Sequence, residues 1–147
     1  MATTADVLTD ADELLFRQVH PSFVREGRPS SQAFRPTPKD ENKLSVARGA
    51  LTTPKAAYEH HTVTLGLASA GSWAVTIAEC TAQTLGVLSD PLTAPPEKAA
   101  DPAHAVIDFT GVSKSQTEAK ASRLARFATA RGRLYSAEVP SAPEGVT

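Results

Sequence analysis

The sequence predicts a single α+β domain: a mixed, mostly antiparallel sheet of about five short strands with two helices. Three observations carry that prediction. Apolar runs at 14–19, 72–80 and 104–109 follow a period of two, and two later segments carry their own helix start signals. The third is size, since 147 residues and 15.5 kDa fit one core able to bury about two thirds of the unfolded surface.

The elements follow in order. Residues 1–12 are small and acidic and predict a flexible arm. The folded domain is expected over 13–137, and 138–147, with two prolines and a glycine, is expected to be a flexible tail. LLFRQV at 14–19 reads as a strand that Pro21 stops, and 22–29 as a turn-rich loop. SSQAF at 30–34 reads as a short strand confined to an edge by Pro36 and Pro38, which lack ladder donors. LSV at 44–46 reads as the next strand. Thr53 and Pro54 suit the N-cap and first position of a helix running through AAYEHH to about residue 62, because proline loses only an amide that would be orphaned there.

SWAVTIAEC at 72–80 sets Trp73, Val75 and Ile77 on one face of an expected central strand. The proline-dense stretch 86–103 is expected to be an exposed loop. HAVIDF at 104–109 resumes as a strand with Ala105, Ile107 and Phe109 on one side. Ser113 and Gln116 form an S-x-x-Q capping box opening a helix whose apolar stripe is Ala121, Leu124, Ala125 and Ala128 and whose end is Gly132. RLYSA at 133–137 is expected to return as a final short strand. These periodicities put Trp73, Ile77, Ile107 and Leu124 in one core.

Composition narrows the function classes. Aromatics are 5% of the chain, so the core rests on Leu, Val and Ala with Trp73, Phe16, Phe34 and Phe109 as large anchors. A net charge of -1 supplies no global attraction to nucleic acid or an anionic membrane. The basic helix 114–131 lacks interleaved aromatics, so nucleic acid is not an expected partner. Cys80 is the one cysteine, which rules out an intrachain disulfide, points to a reducing cytoplasm and reads as a small buried residue. The N-terminus lacks a signal-peptide pattern and no run approaches ~18 apolar residues, so neither secretion nor membrane spanning is expected. There is no Gly-rich phosphate loop, no G-x-S-x-G elbow, no H-E-x-x-H and no C-x-x-C.

The candidate chemistry lies in residues 14–46, where Arg17, Arg25, Arg28, Arg35 and Lys39 face the single acid Glu26 over positions 17–39. Arg17 and His20, at a strand end, suit a ligand phosphate and a titratable group. Ser30 and Ser31 suit polar positioning groups or turn caps, and Arg35 a further ligand contact. His60 and His61 are neighbours on an expected helix, about 100° apart, and cannot easily share one ion; no metal site is expected.

The order of pieces in 16–61 resembles the RES domain, a toxin fold of the ADP-ribosyltransferase type that consumes NAD. The residues carrying it are Phe16-Arg17, Gly27-Arg28, Phe34-Arg35-Pro36, Leu44-Ser45-Val46 and Ala56-Ala57-Tyr58-Glu59. The resemblance implies that Arg17 contacts the NAD phosphates and Glu59 belongs to a polar cleft. SSQAFRP stands where the family has a Gly-Gly-Arg-Trp-Asn-like turn, and Ser45-Val46 where it has a strand tyrosine.

Two functions are therefore expected in competition. One is an enzyme acting on NAD or another nucleotide, with Arg17 as phosphate anchor, His20 and Glu59 as acid or base, and Ser30, Ser31 and Arg35 holding the substrate. The other is a non-catalytic interaction module, an accessory subunit docking a larger protein partner through the same basic stretch.

Overall fold

Period-two segments of the chain pair into one sheet, and a long capped helix covers one of its faces. The computed structural model describes residues 7–36, 42–91 and 101–136. In chain order the elements are β1 (Leu14–Gln18), a small hairpin of β2 (Val24–Arg25) and β3 (Arg28–Pro29), β4 (Lys43–Arg48), α1 (Pro54–Glu59), β5 (Ser72–Thr76), α2 (Ile77–Thr81), β6 (Gly86–Ser89), β7 (His104–Asp108) and α3 (Lys114–Arg131). The five-stranded sheet has the order β5-β1-β4-β7-β6, and all its pairings are antiparallel. This is the expected α+β architecture with five strands.

Register assigns the side chains to two faces. Leu15, Leu44, Val46, Trp73, Val75, Val87, Ala105 and Ile107 point to one face, where the α3 stripe of Ala121, Leu124, Ala125 and Ala128 meets them. Trp73, Ile77, Ile107 and Leu124 are all buried in that core, as the periodicities require. Each large apolar side chain so buried contributes about 1.5–3 kcal/mol. Phe16 and Ala74 point to the opposite face and meet Ala57 of α1. With six residues, α1 packs chiefly over β5 and β1 on that side.

Local signals explain the well-read elements. Thr53 Oγ1 accepts from the Ala56 amide at 3.1 Å and Pro54 follows as the first helical residue. Ser113 Oγ accepts from the Gln116 amide at 3.2 Å; of the two reciprocal capping bonds the structure holds this one. Gly132 ends α3 at φ +92. In the β2–β3 hairpin Glu26 and Gly27 both have positive φ, the requirement of a type I′ turn, so the loop expected at 22–29 holds a minimal hairpin.

Other elements differ from expectation. SSQAF is a 3-10 turn over Ser31–Phe34, not an edge strand, because Ala33 and Phe34 are driven under α3. The strand at 72 stops at Thr76, whose Oγ1 accepts from the Glu79 amide at 3.1 Å while Glu79 Oε1 accepts from the Thr76 amide at 2.9 Å. That T-x-x-E capping box turns Ile77–Thr81 into α2. The strand is also an outer one in the sheet order, not central. Gly86–Ser89 is a strand rather than part of the 86–103 loop, whose residues 92–100 lie outside the described residues. α1 ends at Glu59 and gives way to a π turn over His60–Thr64. The final strand is reduced to one bridge, Tyr135 with Ser72.

Of the N-terminal arm, residues 7 and 8 are tied to the sheet edge: Val7 bridges Leu88, and the Leu8 amide donates to the Val87 carbonyl at 2.8 Å. An unpaired edge strand offers those backbone groups a partner. Residues 1–6, 37–41 and the tail expected at 138–147 lie outside the described residues.

Charged side chains lock the frame. Glu13 takes Arg48 through two bonds, at 2.9 and 3.1 Å, and its carboxylate is only 4% exposed. Arg131 of α3 holds Glu79 in the same forked manner. Lys120 and Arg123 of α3 bond Gln83, so three cations of the basic helix serve internal contacts.

Candidate functional site

Beside α1 on this sheet face lies a groove. Phe16, Gln18, Ser45 and Ala47 form its floor, the α1 end and the π turn supply Ala57, His60, His61 and Leu65, and Asp101 and His104 close the far wall. Its volume is about 830 Å³, within the range of small-molecule sites. A second concavity of about 250 Å³ adjoins it, lined by Arg17, Gln32, Arg35 and Lys43 among others. Arg17 and Ser45 line both.

Arg17 is positioned by its own bonds. Nε donates to the Ala33 carbonyl at 2.8 Å and Nη1 to the Ser45 carbonyl at 3.0 Å, tying β1 to the 3-10 turn and to β4. Arg35 sits at the outer lip of the small concavity in an ion pair with Glu118 of α3. The basic character expected from the sequence at 17–39 thus converges in part, as Arg17 and Arg35 joined by Lys43.

The other candidates do not join them. His20 caps the 3-10 turn Pro21–Phe23: its Nδ1 accepts from the Ser22 amide at 3.0 Å and its ring lies 6.0 Å from that of Phe23. It lines neither concavity. Ser30 precedes the 3-10 turn and its Oγ is buried without a hydrogen-bond partner among the described residues; Ser31 opens that turn. Glu59 is exposed on α1, outside both concavities. Cys80 is buried, and burial pushes its thiol up to about 12, so it carries no thiolate at neutral pH.

Three histidines line the groove. His61 is half-buried, and burial holds its pKa below the usual histidine value, with Arg17 and the neighbouring histidines acting in the same direction and the Ala68 backbone opposing. His60 Nε2 lies 3.7 Å from Asp101 Oδ2. His104 is the most connected. Its Nε2 lies 3.1 Å from Ser45 Oγ, and its Nδ1 lies 3.0 Å from the Asp90 carbonyl and 3.1 Å from Asp90 Oδ2. No group of three or more His, Cys, Asp or Glu side chains is arranged to hold a metal ion among the described residues.

Ser45, His104 and Asp90 are not legible as a site, since Ser45 lies 59 residues from His104, and Asp90 sits on a different segment 14 residues before His104. Only the register brings them together. Comparison of the chain with family models, curated proteins and solved structures returns no match.

Proposed function

We infer that the paired concavities bind a phosphate-bearing organic molecule of the nucleotide class. The observation carrying this reading is that Arg17 and Ser45 line both spaces, joining a small basic pocket to a larger groove with an apolar and histidine lining. A molecule with an anionic end and a ring or chain at the other matches that division. Arginine suits the anionic end because its planar fork meets phosphate oxygens in pairs. NAD is among such ligands, and is the one that the RES resemblance of residues 16–61 implies. The enzymatic reading, with NAD or another nucleotide as substrate, is a proposal on the same footing.

Calorimetric titration of ATP and NAD into the full chain tests it. Wild type binds at least one of them, and Lys43→Met and Arg17→Gln each weaken binding by about 1.5–3 kcal/mol, the worth of a charge-assisted bond. Arg17 also braces two backbone carbonyls, so the melting temperature of each variant, measured alongside, separates ligand loss from misfolding. No heat with either ligand, or equal binding by all three proteins, overturns the reading.

A protein partner is the second reading, favoured by Leu51, Val63, Leu65 and Leu67, which are 43–79% exposed on or beside the groove rim. Large apolar side chains grouped in water mark interaction surfaces. That reading stands if nucleotides fail to bind while substitution of Leu65 and Leu67 by Ser abolishes association with a larger protein.

A further inference from the structure

We propose that Ser45 is a nucleophile activated by His104, and that the junction of the two concavities hydrolyses a carboxylic ester whose alcohol portion carries phosphate. Ser45 of β4 faces Val106 and Ala47 faces His104, so Ser45 and His104 are diagonal neighbours on one face of the sheet, within reach of a long side chain. The strand ladder is complete without their contact, running from Lys43 with Asp108 to Ala47 with His104. The side-chain bond is therefore additional to what holds the sheet.

The ring's proton is placed by its neighbours. Both atoms beside Nδ1 are acceptors, the Asp90 carbonyl at 3.0 Å and Asp90 Oδ2 at 3.1 Å. Nδ1 therefore carries the hydrogen, and the neutral ring presents the Nε2 lone pair to Ser45 at 3.1 Å, with the hydroxyl donating. An imidazole anchored through Nδ1 on the Asp90 carbonyl, with the Asp90 carboxylate close beside it and a serine hydroxyl at Nε2, is an arrangement that activates a weak oxygen nucleophile. The His104 side chain is 15% exposed, the Asp90 side chain 48%, and Ser45 opens onto both spaces.

The reaction balances without a further reagent. Ser45 Oγ attacks the ester carbonyl carbon and its proton passes to His104 Nε2, leaving an imidazolium beside the Asp90 carboxylate. The bond from carbonyl carbon to alcohol oxygen breaks, and the departing oxygen takes the proton from Nε2. Water then attacks the acyl-serine, gives a proton to Nε2, and the acid leaves as Ser45 Oγ recovers that proton. Ester and water become acid and alcohol. The substrate choice rests on the phosphate reading above, with the alcohol phosphate toward Arg17 and the acyl group against Phe16 and Leu65; the nucleophile does not.

Incubating the full chain with a fluorophosphonate probe, mapping the adduct by mass spectrometry, and following hydrolysis of p-nitrophenyl butyrate test the proposal. The expected adduct is on Ser45. Ser45→Ala and His104→Gln lose labelling and lower hydrolysis by about a hundredfold or more, the worth of a general base, with unchanged melting temperatures. Asp90 acts through His104 as a positioning residue, so Asp90→Asn lowers kcat and leaves KM unchanged, which loss of a loop tie alone would not do. No adduct, an adduct on another residue, or equal rates for Ser45→Ala and wild type overturns the proposal. Labelling of Ser45 without ATP or NAD binding removes the phosphate reading alone, and nucleotide binding without labelling removes the nucleophile alone.

Discussion

Replacing Leu124 with alanine probes the packing of α3 on the sheet. Leu124 is fully buried, and its companions in the stripe are Ala121, Ala125 and Ala128. Leu124 is thus the only fully buried large side chain of α3, with Phe127 partly buried against the same core. Alanines on either side have no rotamers with which to collapse into the space, and the rigid sheet beneath, with Trp73, Val75 and Ile107 at 0–1% exposure, cannot bend to fill it. Leucine-to-alanine changes cost about 2–5 kcal/mol, rising with the cavity left behind. The poor prospect of relaxation puts Leu124→Ala in the upper half, about 3–5 kcal/mol. At roughly 2–4 °C per kcal/mol for a domain of this size, the melting temperature falls by about 10 °C. Urea unfolding followed by Trp73 fluorescence measures it, with Leu124→Met, costing under about 1.5 kcal/mol, as the volume-conserving control. A loss below about 1 kcal/mol for Leu124→Ala would refute this account of the α3 interface.

Three further outcomes are expected. Arg48→Met strands the Glu13 carboxylate, which is 4% exposed, and lowers stability by about 2–4 kcal/mol, less than for a fully buried pair because the Arg48 side chain is 21% exposed; Glu13→Gln in the same background recovers part of the loss in urea melts, and no recovery would contradict the pairing. His61 has a folded pKa below its unfolded one, so the unfolded chain binds its proton at higher pH; its contribution is complete above the ordinary value of about 6.5 and is lost as pH falls through the folded pKa. His61→Leu should therefore flatten the stability profile on the acid side, and an unchanged slope would show that the ring is not desolvated. Cys80, buried with its thiol pushed up to about 12, should resist iodoacetamide at neutral pH in the folded protein and react in urea, which mass spectrometry reads directly; rapid modification without denaturant would place it elsewhere.

Features that a few neighbouring residues decide are legible along the chain. The strands at 14–18 and 104–108 follow from alternation, LSV at 44–46 marks the centre of the strand at 43–48, and α3 follows from Ser113, its stripe and Gly132, because caps and periodicity act over one or two turns. The T-x-x-E box at Thr76 was also local, but the β-branched run SWAVTI masks it, since the same residues favour a strand. Tertiary structure decided the remainder. SSQAF becomes a 3-10 turn because Phe34 is worth more under α3 than on a sheet edge. The basic residues at 17–39 were visible, yet which of them converge depended on β1 and β4 lying side by side, so Arg17 lines the site while His20 is spent on a cap. Ser45, His104 and Asp90 meet only through the antiparallel register of β4 with β7 and β7 with β6, and Ser45 and His104 line the groove beside α1. Such contacts span tens of residues, and no short-range pattern encodes them: they arise from how separate elements bury their apolar faces against one another.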